Sequence, residues 1–125
     1  MKLTKSEYVV WQMIEQIGFI VKPFFSKTPI DPTNCFYAQM PFEKMRIDFA
    51  LPTARLALEI DGEYWHGSRM RVLTQIQMKR QLDDLTKTQK LLQRRWKLLK
   101  IVDSDLKRDK FQNSLQKRIW EMMVI

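Results

Sequence analysis

Two short segments of alternating polarity, Arg46 to Leu51 and Arg55 to Asp61, flank a three-residue turn at Pro52-Thr53-Ala54. This pattern is a β-hairpin, and it constrains the fold more than any other feature. Side chains on a strand alternate between its two faces. Ile47, Phe49 and Leu51 therefore share one face with Leu56, Leu58 and Ile60, and that face demands a core. Asp48, Glu59 and Asp61 point the other way, with Asp48 roughly opposite residues 57 to 59. Cross-strand Cβ atoms lie about 5 Å apart, and like charges there cost up to about 1 kcal/mol. Two readings of this acidic face stay open. It is the solvated side of an antiparallel sheet with Arg46 and Arg55 as counter-charges, or its carboxylates share a divalent cation.

The flanking sequence supplies the other layers. Thr4-Lys5-Ser6-Glu7 has the form of a capping box opening a helix, Val10, Ile14 and Ile17 form its apolar stripe, and Gly18 stops it. Phe19 to Val21, Phe36 to Met40 and Trp96 to Val102 are predicted strands, and Pro23 to Thr33 is predicted loop. Ser68 to about Gln93 has neither Gly nor Pro and is predicted helical. A last helix is expected to be capped by Ser104 or Asp105, with Phe111, Leu115, Ile119 and Met122 facing inward. The order α-β-β-β-β-α-β-α specifies an α/β sandwich with a mixed central sheet. With 125 residues, 45% of them hydrophobic, residues 1–125 are expected to form a single domain with a real core.

Charge is divided unequally along the chain. Residues 1–68 hold seven basic and eight acidic side chains, whereas residues 69–118 hold fifteen basic and five acidic. The net charge of +8 thus resides in the second half and calls for a polyanionic partner, nucleic acid before a membrane surface. The cations are scattered rather than gathered on one amphipathic helix, and no apolar run approaches the roughly 20 residues of a membrane span. A membrane role is therefore not expected. Cys35 is the single cysteine, which excludes a disulfide framework and fits a reducing cytoplasmic setting.

Directly after the second hairpin strand comes Asp61-Gly62-Glu63-Tyr64-Trp65-His66-Gly67. His66 is the only histidine, and imidazole is the side chain whose unperturbed pKa, about 6.5, suits proton transfer near neutral pH. Two aromatics and an imidazole are thereby set beside a strand end that carries carboxylates.

At these residues the sequence resembles the very-short-patch mismatch repair endonucleases and the phage homing endonucleases of the Glu-Asp-x-His-Asp type, both of the PD-(D/E)XK nuclease superfamily. The resemblance runs from about Thr4 to Leu106. It rests on Glu7, on Ile47-Asp48, on Ile60 through His66, and on Asp84 with Leu91 ahead of Trp96-Lys97-Leu98-Leu99-Lys100-Ile101. The intervals of 18 residues from Asp48 to His66 and 12 from Asp84 to Trp96 match the repair enzymes. It implies a PD-(D/E)XK-like α/β/α sandwich and a Mg²⁺- or Mn²⁺-dependent endodeoxyribonuclease, in a bacterial or phage-infected cell. A structural zinc is not expected, because Glu63 and Ser68 stand at zinc-ligand positions and Cys35 is alone.

The roles implied by the resemblance are specific. Asp48 would be the principal metal ligand, helped by the Ile60 main-chain carbonyl, with Asp61 and Glu59 available to a second ion. His66 would be the general base, and Asp84 would orient its imidazole. Glu7 would reach a metal or its water shell, besides its capping role. Tyr64 and Trp65 resemble aromatics that wedge between base pairs. Arg69, Arg71, Lys79, Arg80, Lys87 and Arg94 would contact phosphates. The superfamily's lysine position is Asp61 here, which keeps an alternative open: a catalytically silent nuclease fold acting as a DNA-binding or assembly module. Target recognition is expected from a homo-oligomer or a partner chain.

Overall fold

The hairpin forms the middle of a five-stranded sheet. In the computed structural model, residues 2–27, 29, 34–61 and 75–124 are described. The elements are α1 (Lys5–Ile17), β1 (Ile20–Pro23), β2 (Cys35–Phe42), β3 (Met45–Leu51), β4 (Leu56–Asp61), α2 (Gln75–Gln93), β5 (Lys97–Val102) and α3 (Phe111–Met123). The strands lie side by side in sequence order. β1 and β2 are parallel, β2–β3 and β3–β4 antiparallel, and β4 and β5 parallel, so the sheet is mixed. A parallel neighbour requires a long crossover, and the segment containing α2 supplies the one between β4 and β5.

Both faces of the sheet are covered, each by different helices. On one face Val10 and Ile14 of α1, and Phe111, Leu115 and Ile119 of α3, pack on Phe49, Leu51, Leu56, Leu58, Leu99 and Ile101. On the other, Leu91 of α2 packs with Cys35, Tyr37, Ala50 and Ala57. The α/β/α sandwich follows from this division. Among the described residues no helix is long and apolar enough to cross a membrane.

Two details depart from the sequence reading. Ile47 does not share the face of Phe49 and Leu51; it is buried with Met40, Tyr37 and Ala50 on the α2 side. The cause is a break in the β2–β3 ladder. Ala38 pairs with Phe49 and Met40 with Ile47, but Gln39 and Asp48 between them are unpaired, and Gln39 has φ of 58°. A left-handed residue twists the strand locally, so alternation changes phase across it although pairing resumes in the same register. The last helix also starts later than Ser104 or Asp105 suggested. Residues Asp103–Lys107 form a 3₁₀ turn, and Lys110, at φ of 61°, separates it from α3. Residues 68–74 of the predicted long helix lie outside the described residues.

The start of α1 is built as its sequence specified. Thr4 Oγ1 accepts from the Glu7 N–H at 3.1 Å, and Glu7 Oε1 accepts from the Thr4 N–H at 3.2 Å. Gly18 closes the helix at φ of 115°, a conformation that side chains disfavour. We expect Thr4→Ala to lower stability by about 1 kcal/mol, read by urea unfolding, because the Glu7 N–H loses the acceptor that Thr4 Oγ1 supplies.

Candidate functional site

The break opposite Gln39 is matched by a second break on the other side of Asp48. Backbone pairing of β3 with β4 covers Phe49 with Leu58, Ala50 with Ala57 and Leu51 with Leu56, and it stops at the next step. There, side chains take over the ladder. The Ile60 N–H donates to Asp48 Oδ2 at 2.9 Å, and the Asp48 N–H donates to Glu59 Oε2 at 3.3 Å. The two strands part at this point, and the carboxylate of Asp48 occupies the fork.

Two clefts meet at the fork. One, of about 470 Å³, is lined by Asp48, Glu59, Ile60 and Asp61 from the hairpin, Arg80, Gln81, Asp84 and Lys87 from α2, and Lys100 from β5. The other, of about 410 Å³, is lined by Asp48 and Ile60 with Thr4, Ser6 and Glu7 at the start of α1 and Asp103 beyond β5. Asp48 and Ile60 alone are common to both.

Asp48 is the most perturbed acid among the described residues. Burial, then the charge of Glu59 and its hydrogen bond, push its carboxyl up to about 8, against the lowering influence of the Ile60 N–H and Lys87. The pair therefore holds a proton near neutral pH instead of two negative charges. Glu59 is buried, and Lys87 Nζ lies 2.6 Å from its Oε1. That ion pair lacks the angles of a hydrogen bond, and Oε1 has no hydrogen-bond partner among the described residues.

The rim is held by a lysine that the sequence reading passed over. Lys100 Nζ donates to Asp84 Oδ2 at 2.7 Å and lies 3.8 Å from Asp61 Oδ2. Burial draws its ammonium down, yet Asp84, Asp61 and Glu59 together outweigh that and hold it above the ordinary lysine range. Its signal was present in the sequence, as one cation in the middle of a buried apolar strand. Parallel pairing of β4 with β5 sets it beside Glu59, a placement only the sheet order reveals. Gln39 was also missed. Its side-chain amide donates to Glu7 Oε2, so both oxygens of the buried Glu7 carboxylate are engaged before any ligand arrives.

The remaining candidates divide clearly. Asp48, Glu59, Ile60, Asp61 and Asp84 come together at one cleft, and Glu7 lies at the adjoining one. Arg80 and Lys87 line the first cleft, Lys79 is exposed on α2, and Arg94 pairs with Glu43 at 3.1 Å, away from the fork. Tyr64, Trp65, His66, Arg69 and Arg71 lie outside the described residues. Among the described residues, no three acidic, His or Cys side chains converge as a ready metal cage.

No protein-family profile and no curated protein matches the sequence. Among solved structures, the chain is similar to the catalytic domain of the homing endonuclease I-Bth0305I, with a TM-score of 0.61 at 17% identity. The similarity covers 98% of this chain and 96% of that one. At this identity the likeness establishes a shared fold.

The proton at Asp48 has a consequence for stability. The unfolded carboxyl titrates near 3.8 and the folded one near 8, so protonated Asp48 favours folding. That contribution is complete below the unfolded value and lost as pH rises through the folded one. Asn at this position keeps the Ile60 hydrogen bond and offers an N–H to Glu59. We expect metal-free Asp48→Asn to exceed the wild type by at least about 1 kcal/mol at about pH 8, with the difference shrinking towards about pH 4. Urea titrations in EDTA across that range measure it, and a pH-independent difference would contradict it.

Proposed function

We propose that this protein is a divalent-metal-dependent DNA endonuclease centred on Asp48. One observation carries the reading: a half-buried carboxylate stands in the fork of a splayed hairpin, open to two clefts, on a fold shared with a homing endonuclease catalytic domain. The residues present fit a hard cation. Mg²⁺ takes one or two protein carboxylates and keeps several waters for phosphate oxygens to replace, so it needs no complete cage. Asp48 with the Ile60 carbonyl is such a partial set, open to both clefts. When bound, the ion supplies Lewis-acid polarisation of the phosphate and acidifies its water.

The chain's own groups do the rest. His66 accepts the proton of the attacking water, and Asp84, anchored by Lys100, orients the imidazole. Asp61 and Glu59 are available to a second ion. Arg80 and Lys87 stand along the cleft wall where a phosphodiester backbone would pass, and Lys79, Arg69 and Arg71 would add phosphate contacts. Tyr64 and Trp65 act as the aromatic contacts to bases. A second reading has one observation in its favour: Lys87 and Lys100 already neutralise Glu59 and Asp84, as they would in a silent DNA-binding module.

Incubating supercoiled plasmid with the protein and Mg²⁺ or Mn²⁺ separates the two. We expect cleavage that EDTA stops and that Asp48→Ala reduces to background. DNA binding without cleavage under every metal condition would establish the silent module instead.

For His66→Ala, single-turnover cleavage should fall about 10²–10⁴-fold, the contribution of a positioned base. DNA affinity should stay near the wild-type value, because the basic half of the chain supplies that term. Normal cleavage by this variant would remove His66 from the mechanism.

A further inference from the structure

We infer that a third cleft, holding Lys2, Phe25 and Arg46, takes one unstacked nucleotide of a DNA strand, its base on the Phe25 ring and its phosphate between the two cations. The inference rests on the endonuclease reading and adds a contact outside the basic half of the chain. The cleft has a volume of about 400 Å³. Its lining includes two cations and no acid among the described residues, whereas both clefts at Asp48 are lined with carboxylates. Such a lining attracts a phosphate.

The irregularity that isolates Asp48 also builds this cleft. Ile47 packs on the α2 side of the sheet, so Arg46 beside it points to the side from which α1 begins. There it shares the cleft with Lys2, three residues ahead of α1. Had alternation run unbroken from Phe49, Arg46 would have faced α2. The aromatic wall is fixed by Phe24, whose N–H donates to the Ala38 carbonyl at 3.1 Å. Its ring meets Tyr37 edge-on, with centroids 6.2 Å apart. Phe25 follows directly and is 62% exposed. An exposed ring next to an anchored neighbour, beside two cations, has the parts of a base-stacking platform on a backbone track.

Continuity with the fork selects a DNA strand as the occupant. Gln39 lines this cleft, and its amide donates to Glu7, which lines the adjoining cleft shared with Asp48. Arg46 precedes Asp48 by two residues, about 7 Å along β3. That distance is the rise of about two nucleotides in one strand of DNA. A strand whose reacting phosphate sits at Asp48 therefore passes Arg46 within a few nucleotides.

Fluorescence anisotropy of a labelled single-stranded oligonucleotide, titrated with the full chain in EDTA, tests the site. We expect Phe25→Ala to raise Kd about tenfold, within the range of a single base–aromatic stack. Phe25→Tyr should keep the wild-type affinity, and Phe25→Leu, apolar but without a π-face, should not. Arg46→Gln should reduce the slope of log K against log salt by about 0.7, the share of one phosphate contact on a single strand. Wild-type binding that Phe25→Ala and Arg46→Gln both leave unchanged would overturn this site and leave the endonuclease reading standing. A wild type that binds no DNA would overturn both. Phe25→Leu binding as tightly as the wild type would overturn the stacked base. If Phe25→Ala loses the wild-type circular dichroism, Phe25→Leu and Arg46→Gln decide by the same criteria.

Discussion

The hydrogen bond from the Ile60 N–H to Asp48 Oδ2 sets where β3 and β4 stop pairing through their main chains. On one side of it, Phe49 to Leu51 pair with Leu56 to Leu58 through main-chain bonds and bury an unbroken apolar layer. Beyond it, the carboxylates of Asp48 and Glu59 receive the N–H groups that strand pairing would have satisfied. A buried N–H needs some acceptor, and a side chain is the only one that permits the strands to diverge. The fork, the two clefts that meet there and the burial of Asp48 all follow from that exchange. Gln39, left-handed on the adjoining strand, completes it by releasing Asp48 from its other neighbour.

Concentrating acids at the fork creates an electrostatic problem, which the fold solves in two ways. At the deepest point, Asp48 retains a proton and Lys87 reaches in from α2 to Glu59. At the rim, Lys100 reaches across from β5 to Asp84 and Asp61. Both lysines come from elements distant in sequence from the hairpin, so the cleft is neutralised only after the whole sandwich is assembled. A half-buried ion pair contributes modestly to stability, because desolvation offsets much of its attraction. Its stronger effect is to hold α2 at one position over the sheet.

Much of this was legible in the sequence, for identifiable reasons. Element order, the hairpin register and the face-sharing of Leu56, Leu58 and Ile60 follow from period-two alternation and turn chemistry, which are local. The Thr4–Glu7 box is equally local. The reversal at Gln39 left no such trace, since glutamine is seldom chosen for left-handed backbone, and Ile47 was assigned to the wrong face as a result. The part played by Lys100 was illegible for another reason: a strand's neighbours are fixed by topology rather than by the residues beside it. Asp84 shows the limit from the opposite direction. A helix-surface carboxylate with Arg80 and Thr88 four residues away has a plausible local account. Yet its bond to Lys100 spans 16 residues, and Thr88 turns instead to the Asp84 carbonyl.

α2 has little apolar hold on the sheet. α2 has 19 residues but buries only Gln77 and Leu91, too little apolar surface to account for its docking by hydrophobic burial. Its contacts with the sheet include the Lys87–Glu59 and Asp84–Lys100 pairs, the ones a phosphate backbone or an added cation would disturb. A helix docked partly through charges that line a cleft is held less firmly when a polyanion or cation engages those charges.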